Sequence, residues 1–348
     1  MRAAYAKYNL HFKVPSGTSR GILTEKETFF IKVWRDDEPD RAGWGECALF
    51  RGLSADDKPG YEECLAEVCR SIDSVSPGDL REWSSIRFGL ESALADLKQG
   101  GQRLLFPSDF TRGNRSIEIN GLIWMGDKNT MLQRIEEKLR DGFRCIKLKI
   151  GAIDFDAELS LLKYIRSRFG RDEIELRVDA NGAFAPDEAL SRLEALSRYD
   201  LHSIEQPIRQ GQWTKMAELC RNTPLPIALD EELIGVNDPS LKAEMLDEIA
   251  PQYIILKPAL AGGFSGSEEW IELASRRGIG WWVTSALESN IGLNAIAQWT
   301  AVLPIAMPQG LGTGALYTDN IPSPLRLSGS RLSYGADDAW QLPELEWK

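Results

Sequence analysis

The sequence predicts an α/β fold in which a β/α barrel follows an N-terminal α+β domain. From residue 115 onward, short β-rich runs alternate with longer segments of helical periodicity. This alternation is typical of right-handed βαβ units and a parallel sheet. Eight such runs fill residues 115–320, which favours a closed barrel over an open sheet. A doubly wound open sheet is the alternative, but no GxGxxG motif follows the first run.

The predicted barrel strands are short apolar runs that end near polar or turn-forming residues. They occupy residues 116–124, 145–151, 174–181, 202–207, 226–232, 252–258, 279–285 and, less clearly, 304–310. Amphipathic stretches such as 129–143 and 186–199 lie between them, and Pro186 suits the first turn of a helix. Each strand is therefore followed by a helix that covers the sheet.

Residues 1–114 follow a different pattern. Three β-rich runs (8–14, 27–36 and 42–50) precede two helical segments at 60–72 and 84–100. We interpret this region as an α+β domain that precedes the barrel at 115–320. The C-terminal segment 321–348 is predicted to return and pack on the N-terminal domain.

Composition excludes several classes of function. The 41 basic and 52 acidic residues give a net charge of −11, which argues against nucleic acid or an anionic membrane as the main partner. The N-terminus lacks the apolar core of a signal peptide, and no apolar run approaches the ~20 residues of a membrane span. Five scattered cysteines without a CxxC pair predict neither a disulfide framework nor a zinc ribbon, so we expect a cytoplasmic protein.

Charged residues stand at the C-terminal ends of five consecutive predicted strands. They are Lys147 and Lys149, then Asp179, Glu205, Asp230 and Lys257, at intervals of 25 to 30 residues from Lys149 onward. Each carboxylate alone could be a helix cap, and the lysine tips could simply reach solvent. In a barrel, however, the C-terminal ends of the strands meet at the rim where catalysis takes place.

The pattern predicts a metal site flanked by two groups of lysines. Three carboxylates from neighbouring strands offer the hard oxygen ligands that Mg²⁺ prefers, so Asp179, Glu205 and Asp230 are the predicted ligands. A small-molecule carboxylate bound there would lie between Lys149 and Lys257, an arrangement suited to removing a proton α to that carboxylate. Burial, Lys147 and the metal would all lower the pKa of Lys149 and make it a usable base.

The constellation resembles the enolase superfamily, and within it the muconate lactonising enzyme subgroup. The resemblance is carried by KLK (147–149), DAN (179–181), EQP (205–207), LDEE (229–232) and LKP (256–258), and by GWGE and ESALADL in the N-terminal domain. It implies a modified TIM barrel, (β/α)₇β, with an N-terminal α+β capping domain. It also implies Mg²⁺ as cofactor, with Mn²⁺ able to substitute.

Among lysine-based relatives, the chain most resembles the o-succinylbenzoate synthase family, notably in TSALESNIGLNAIAQW and PQGLGTGALYTDNI. That resemblance implies a lyase of menaquinone biosynthesis that dehydrates 2-succinyl-6-hydroxy-2,4-cyclohexadiene-1-carboxylate through an enolate. Lys149 would remove the α-proton and return it to the departing hydroxyl, and Lys257 would stabilise the charge from the other face. An N-acylamino acid racemase or a dipeptide epimerase is the alternative, although GLGTGAL lacks the DxD of the epimerases. A non-catalytic barrel that binds a metal or a metabolite is a remote third.

Several further residues are candidates for contacts with substrate. They are Asn181, Thr284, Ser285, Gly312, Thr313 and Arg20, the last in a Gly- and Ser-containing loop at 15–21. Asn181 could equally be a turn former before Gly182, and the strand-seven and strand-eight residues could be ordinary rim turns. Glu231 either supports the metal ligands and Lys149 or is simply solvated.

Overall fold

The N-terminal part of the computed structural model, which describes residues 1–18 and 21–348, is a three-stranded antiparallel sheet with two helices. The strands are β1 (Arg2–Thr18), β2 (Gly21–Arg35) and β3 (Glu38–Cys47), and the helices are α1 (Tyr61–Arg70) and α2 (Ser84–Lys98). Helix α2 lies close against β3 because glycines meet there. A Cβ on Gly45 would stand 1.9 Å from the carbonyl oxygen of Gly89. This is the predicted capping domain.

Seven parallel strands form the barrel sheet in chain order. They are β5 (Gly121–Ile123), β6 (Cys145–Lys149), β7 (Glu175–Asp179), β8 (Ser203–Glu205), β9 (Ile227–Leu229), β10 (Tyr253–Leu256) and β11 (Gly280–Val283), preceded by the short β4 (Ile117–Glu118). The register pairs Lys149 with Asp179 and Asp179 with Glu205. Their side chains therefore emerge at the same rim.

Helices follow these strands and cover the outside of the barrel. They are α3 (Lys128–Arg140), α4 (Phe155–Arg166), α5 (Pro186–Ser197), α6 (Trp213–Asn222), α7 (Pro239–Ile249), α8 (Gly263–Arg276) and α9 (Asn290–Val302). Asp127, Asp154 and Asp238 cap α3, α4 and α7 through their side chains. Across the two described ranges, no helix combines the length and the apolar character needed to cross a membrane.

The eighth predicted strand, 304–310, is not a regular strand. Gln309 instead forms an isolated parallel bridge with Ile119, just before β5, and Gly310 forms another with Thr284, just after β11. The segment 304–310 therefore closes the ring through single bridges. The reason lies in the sequence, because Pro304 and Pro308 have no N–H to donate to a ladder. The (β/α)₇β prediction is confirmed, but this run was predicted too long.

The C-terminal segment divides between two places. Strands β12 (Leu325–Ser328) and β13 (Arg331–Tyr334) form a small sheet with β4. The last residues cross to the capping domain, where Trp347 packs edge-on against Trp44 with ring centres 4.9 Å apart. Tyr5 and Lys348 exchange backbone hydrogen bonds of 3.1 and 2.9 Å. The part of this segment from about residue 340 onward contacts the N-terminal sheet, and the assignment of 321–348 and the boundaries at 114 and 320 stay predictions.

Candidate active site

Three buried carboxylates meet at the C-terminal rim of the barrel. Asp179 ends β7, Glu205 ends β8, and Asp230 directly follows β9. One oxygen atom of each lies within 4.8 Å of the others. Oε1 of Glu205 is buried and has no hydrogen-bond partner in the part of the chain that the structure describes. Three hard oxygen donors with a free buried lone pair fit a divalent cation, which is the group that the strand-end motifs predict.

Burial and mutual repulsion set the charge balance of this triad. Burial raises the pKa of Glu205 to about 8, and the neighbouring Asp179 and Asp230 add to that rise while Lys147 opposes it. Burial also raises the pKa of Asp179, but Lys147 and Lys149 outweigh it and hold that pKa well below its usual range. A cation bound between these carboxylates would offset the repulsion and favour the ionised form of Glu205.

The lysines contact the triad from two opposite sides. Lys149 Nζ donates to Asp179 Oδ2 at 2.5 Å and to Asn181 Oδ1 at 2.7 Å. Lys257, from the other side of the three acidic strands, donates to Asp230 Oδ2 at 2.6 Å. The structure therefore brings all the predicted strand-end residues together, with the two candidate proton-transfer groups facing each other across the carboxylates.

Lys147 lies deeper than Lys149. Its Nζ bonds to Glu205 and lies 2.9 Å from Asp179. Burial lowers its pKa, but these two carboxylates more than offset that, so the pKa of Lys147 is raised. The pKa of Lys257 is raised in the same way, with Asp230 and Glu231 overcoming burial. Both groups are therefore held as cations.

Asn181 connects Lys149 to Glu231. Its backbone has a φ of 45°, in the left-handed region that asparagine tolerates, and this turn directs the amide back into the site. Nδ2 donates to Glu231 Oε1 at 2.8 Å while Oδ1 accepts from Lys149. Asn181 thus both forms the turn and lies among the site residues, its contact with substrate stays a prediction, and Glu231 is buried rather than solvated.

Replacing Asn181 by alanine should lower kcat by roughly 10- to 100-fold, the usual effect of losing a group that orients a metal-site or catalytic side chain. The reason is that Lys149 loses its second hydrogen-bond acceptor and can turn away from the substrate. Steady-state kinetics and metal titration of the variant would test this. Asn222→Ala, at the exposed end of α6, is the matched control. Equal kcat values for the two variants would show that Asn181 does not orient Lys149.

A cavity of about 350 Å³ opens above the lysines. The predicted contacts Thr284, Ser285, Gly312 and Thr313 line it, while Arg20 lies outside the described residues. Ser285 and Thr313 share a hydroxyl–hydroxyl hydrogen bond of 2.6 Å. The residues that follow β11 and those at 312–313 thus form one wall of the cavity.

Apolar residues of this cavity were missed by the sequence analysis. They include Phe50, Leu53, Leu122, Trp124, Leu287 and Leu316. Trp124 directly follows β5, so the rim rule that identified the charged residues would also have found it. The others could not be identified from the sequence, because an apolar residue that lines a cavity has the same sequence pattern as one in the core.

Comparison with known proteins gives one consistent family. Residues 130–334 match the Enolase C-terminal domain-like family. The chain is 50% identical to the o-succinylbenzoate synthase of Desulfotalea psychrophila (strain LSv54 / DSM 12343), over 95% of this chain and 98% of that protein. It is 26% identical to the N-succinylamino acid racemase of an Amycolatopsis species, over 91% and 88% of the two chains.

The structure is also similar to the crystal structure of MenC from Desulfotalea psychrophila LSv54. The TM-score is 0.84 at 47% identity, and the match covers 96% of this chain and 99% of that one. Both the barrel match and this full-length similarity agree with the strand-end motifs. The chain therefore belongs to the enolase superfamily, as those motifs predict.

Proposed function

We propose that this protein catalyses the o-succinylbenzoate synthase reaction of menaquinone biosynthesis. The reaction dehydrates 2-succinyl-6-hydroxy-2,4-cyclohexadiene-1-carboxylate to 2-succinylbenzoate. The observation that carries this proposal is the 50% identity over nearly the full length of a relative of that name. The intact set of lysines and carboxylates around one cavity supports it.

Lys149 is the proposed acid–base group. Its amine removes the proton α to the substrate carboxylate, and the electron pair of that C–H bond moves onto the carboxylate to give an enolate. The pair then forms the new C=C bond as the C–O bond to the hydroxyl breaks. Lys149 then gives its proton to the hydroxyl, which departs as water. A syn elimination needs one such group on one face, and Lys149 reaches the site from the β6 side only. Lys257, held as a cation by Asp230, stabilises the developing charge from the opposite face.

The proposed cofactor is Mg²⁺, with Mn²⁺ able to substitute. Asp179, Glu205 and Asp230 would hold it, and the buried unpartnered oxygen of Glu205 supports this assignment. A cation at this position supplies electrostatic stabilisation of the negative charge that grows on the substrate carboxylate as the proton leaves. Lys147 orients Glu205 and Asp179 through its contacts with both.

The second candidate is racemisation of an N-acylamino acid. Its support is the placement of Lys149 and Lys257 on opposite sides of the carboxylates, because a racemase exchanges protons on both faces. The residues GLGTGAL, 310–316, lack a DxD motif that could hold the ammonium group of a dipeptide. Dipeptide epimerisation is therefore not proposed.

The two candidates predict different behaviour in D₂O. We expect conversion of the cyclohexadiene substrate to 2-succinylbenzoate, with at most slow deuterium incorporation into a panel of N-acylamino acids and dipeptides. Lys257→Arg keeps a cation that cannot give up a proton near neutral pH, so it should dehydrate the substrate faster than the neutral control Lys257→Met. Fast incorporation into both enantiomers with no detectable dehydration would instead make the protein a racemase.

We infer a cytoplasmic location and a small-molecule carboxylate as the substrate. All five cysteines are described residues, and none of them forms a disulfide. The net charge of −11 supports the absence of a nucleic-acid or anionic-membrane partner.

A further inference from the structure

Glu46, the last acidic residue of β3, is fully buried where the capping domain meets helix α9. Its carboxylate accepts hydrogen bonds from the backbone N–H of Ser289 at 3.0 Å, from Ser289 Oγ at 2.6 Å and from the N–H of Gly292 at 2.9 Å. Thr28 of β2 donates a fourth bond at 2.8 Å. A side chain of the capping domain thus caps a barrel helix.

The contact with α9 requires a glycine. A Cβ on Gly292 would stand 2.8 Å from Glu46 Oε2 and 2.8 Å from the Cβ of Glu288, which is closer than such atoms approach. Glycine at position 292 therefore leaves the room that the Glu46 carboxylate occupies beside the first turn of α9.

The segment that Glu46 fixes carries one wall of the cavity. Ser285, Ala286 and Leu287 line the cavity and lead directly into Ser289. Leu287 has a φ of 64°, which is rare for a branched residue and persists only where neighbours hold it. Its N–H donates to Ser285 Oγ at 3.1 Å and its carbonyl accepts from Tyr317 at 2.7 Å. Glu46 holds the other end of this strained turn.

A buried charge cluster accompanies the contact. Glu288 is fully buried, and it accepts the N–H of Ala286 at 2.7 Å. Lys26 of β2 is 6% exposed, and its Nζ has no hydrogen-bond partner in the described ranges. Burial lowers the pKa of Lys26, and the nearby Glu46 and Glu288 oppose that effect. The two carboxylates that oppose the effect of burial come from the two sides of the contact, Glu46 from the capping domain and Glu288 from the 285–289 turn.

We propose that Glu46 is a positioning residue for substrate recognition. It fixes the start of α9 and so holds the Ser285–Leu287 wall at the distance from the capping domain that the substrate needs. Glu46 has no hydrogen bond to the lysines or to the three carboxylates of the rim, so its effect is on binding rather than on proton transfer. This inference rests on the proposed function only for its kinetic readout.

Glu91 of α2 provides a matched control. Its carboxylate also comes from the capping domain and also meets a barrel helix, accepting from the backbone N–H groups of Phe264 and Ser265 at 2.5 and 3.3 Å. These residues begin α8, and neither lines the cavity. Loss of Glu91 should therefore weaken the contact between the domains without moving the cavity wall.

The kinetic test compares Glu46→Gln with Glu91→Gln. For Glu46→Gln we expect KM for the cyclohexadiene substrate to rise about tenfold while kcat and Mg²⁺ affinity change less than about threefold, the pattern of lost uniform binding. Glu91→Gln should lower the melting temperature and leave KM unchanged. Thr28→Val removes one bond to Glu46 and leaves the Ser289 cap of α9 in place. It is a milder variant, with a smaller rise in KM expected, should Glu46→Gln fail to fold. Unchanged KM in Thr28→Val and in any folded Glu46→Gln, or equal KM changes in Glu46→Gln and Glu91→Gln, would overturn the proposal.

A second readout does not depend on catalysis. Hydrogen–deuterium exchange of peptides covering 284–292 should be faster in Thr28→Val and in Glu46→Gln than in wild type, and unchanged in Glu91→Gln. If the wild-type protein does not dehydrate the substrate, the proposed function fails, and this exchange measurement still decides the role of Glu46. Unaltered exchange at 284–292 would show that Glu46 does not hold the wall.

Discussion

Replacing Lys149 by alanine is expected to lower kcat by at least about 10²–10⁴-fold, the contribution of a single general base. The loss should exceed that caused by replacing Asn181 or Lys257, because Lys149 is proposed both to remove the α-proton and to protonate the leaving hydroxyl. Its amine contacts Asp179, and the amine of Lys257 contacts Asp230 from the opposite side. Single-turnover kinetics of the dehydration would measure the effect.

Two measurements make the Lys149 result specific. Metal titration must accompany the kinetics, because Lys149 also bonds to Asp179 and its loss could disturb the ligand. Lys163→Ala, on the exposed face of α4, removes a lysine from a neighbouring element and should leave kcat unchanged. If Lys149→Ala binds metal normally and retains more than about a tenth of the wild-type rate, Lys149 is not the base.

Removal of divalent metal is expected to abolish turnover, and Mg²⁺ or Mn²⁺ should restore it. The physical reason is that the buried triad is built to hold a cation, with Glu205 Oε1 otherwise unpartnered among the described residues. Asp230→Asn should weaken metal binding by at least about tenfold, since it removes one of three charged ligands. Calorimetric titration and activity after chelation would test both statements.

The control for Asp230→Asn is the same change at Asp238. That residue caps α7 with its side chain, and asparagine is an equally good cap, so metal affinity and activity should both persist. Asp230→Asn should also keep its fold, because a rim residue contributes little to the barrel core. Full turnover after exhaustive chelation would exclude the metal-dependent reaction.

The catalytic rim could be predicted from the sequence because parallel strands impose a simple geometry. Charges that end successive strands must meet, so Asp179, Glu205 and Asp230 converge whatever the details of the loops. The same rule did not find Glu46 or Leu287. Glu46 acts on Ser289, which is 243 positions away, and the left-handed backbone of Leu287 follows from tertiary contacts rather than from its residue type.

The detailed pairing of the lysines was also beyond sequence reasoning. Alternation along β6 predicts that Lys147 and Lys149 share a face, but not that the deeper one bonds to Glu205 while the outer one bonds to Asn181. Side-chain length and depth in the barrel decide that division. The prediction of a regular eighth strand was wrong for a local reason that the sequence did contain, the two prolines of 304–310.

The backbone pairing of Tyr5 with Lys348 has a consequence for the order of folding. It joins residues that are far apart in the sequence, so the loop that it closes costs more conformational entropy than the hairpins within the three-stranded sheet. We therefore expect the sheet to form before the segment that carries Trp347 docks on it. Until that segment docks, the indole of Trp44 lacks the partner that Trp347 provides, and the capping domain exposes apolar surface. A late folding phase with a change in tryptophan fluorescence would report this docking.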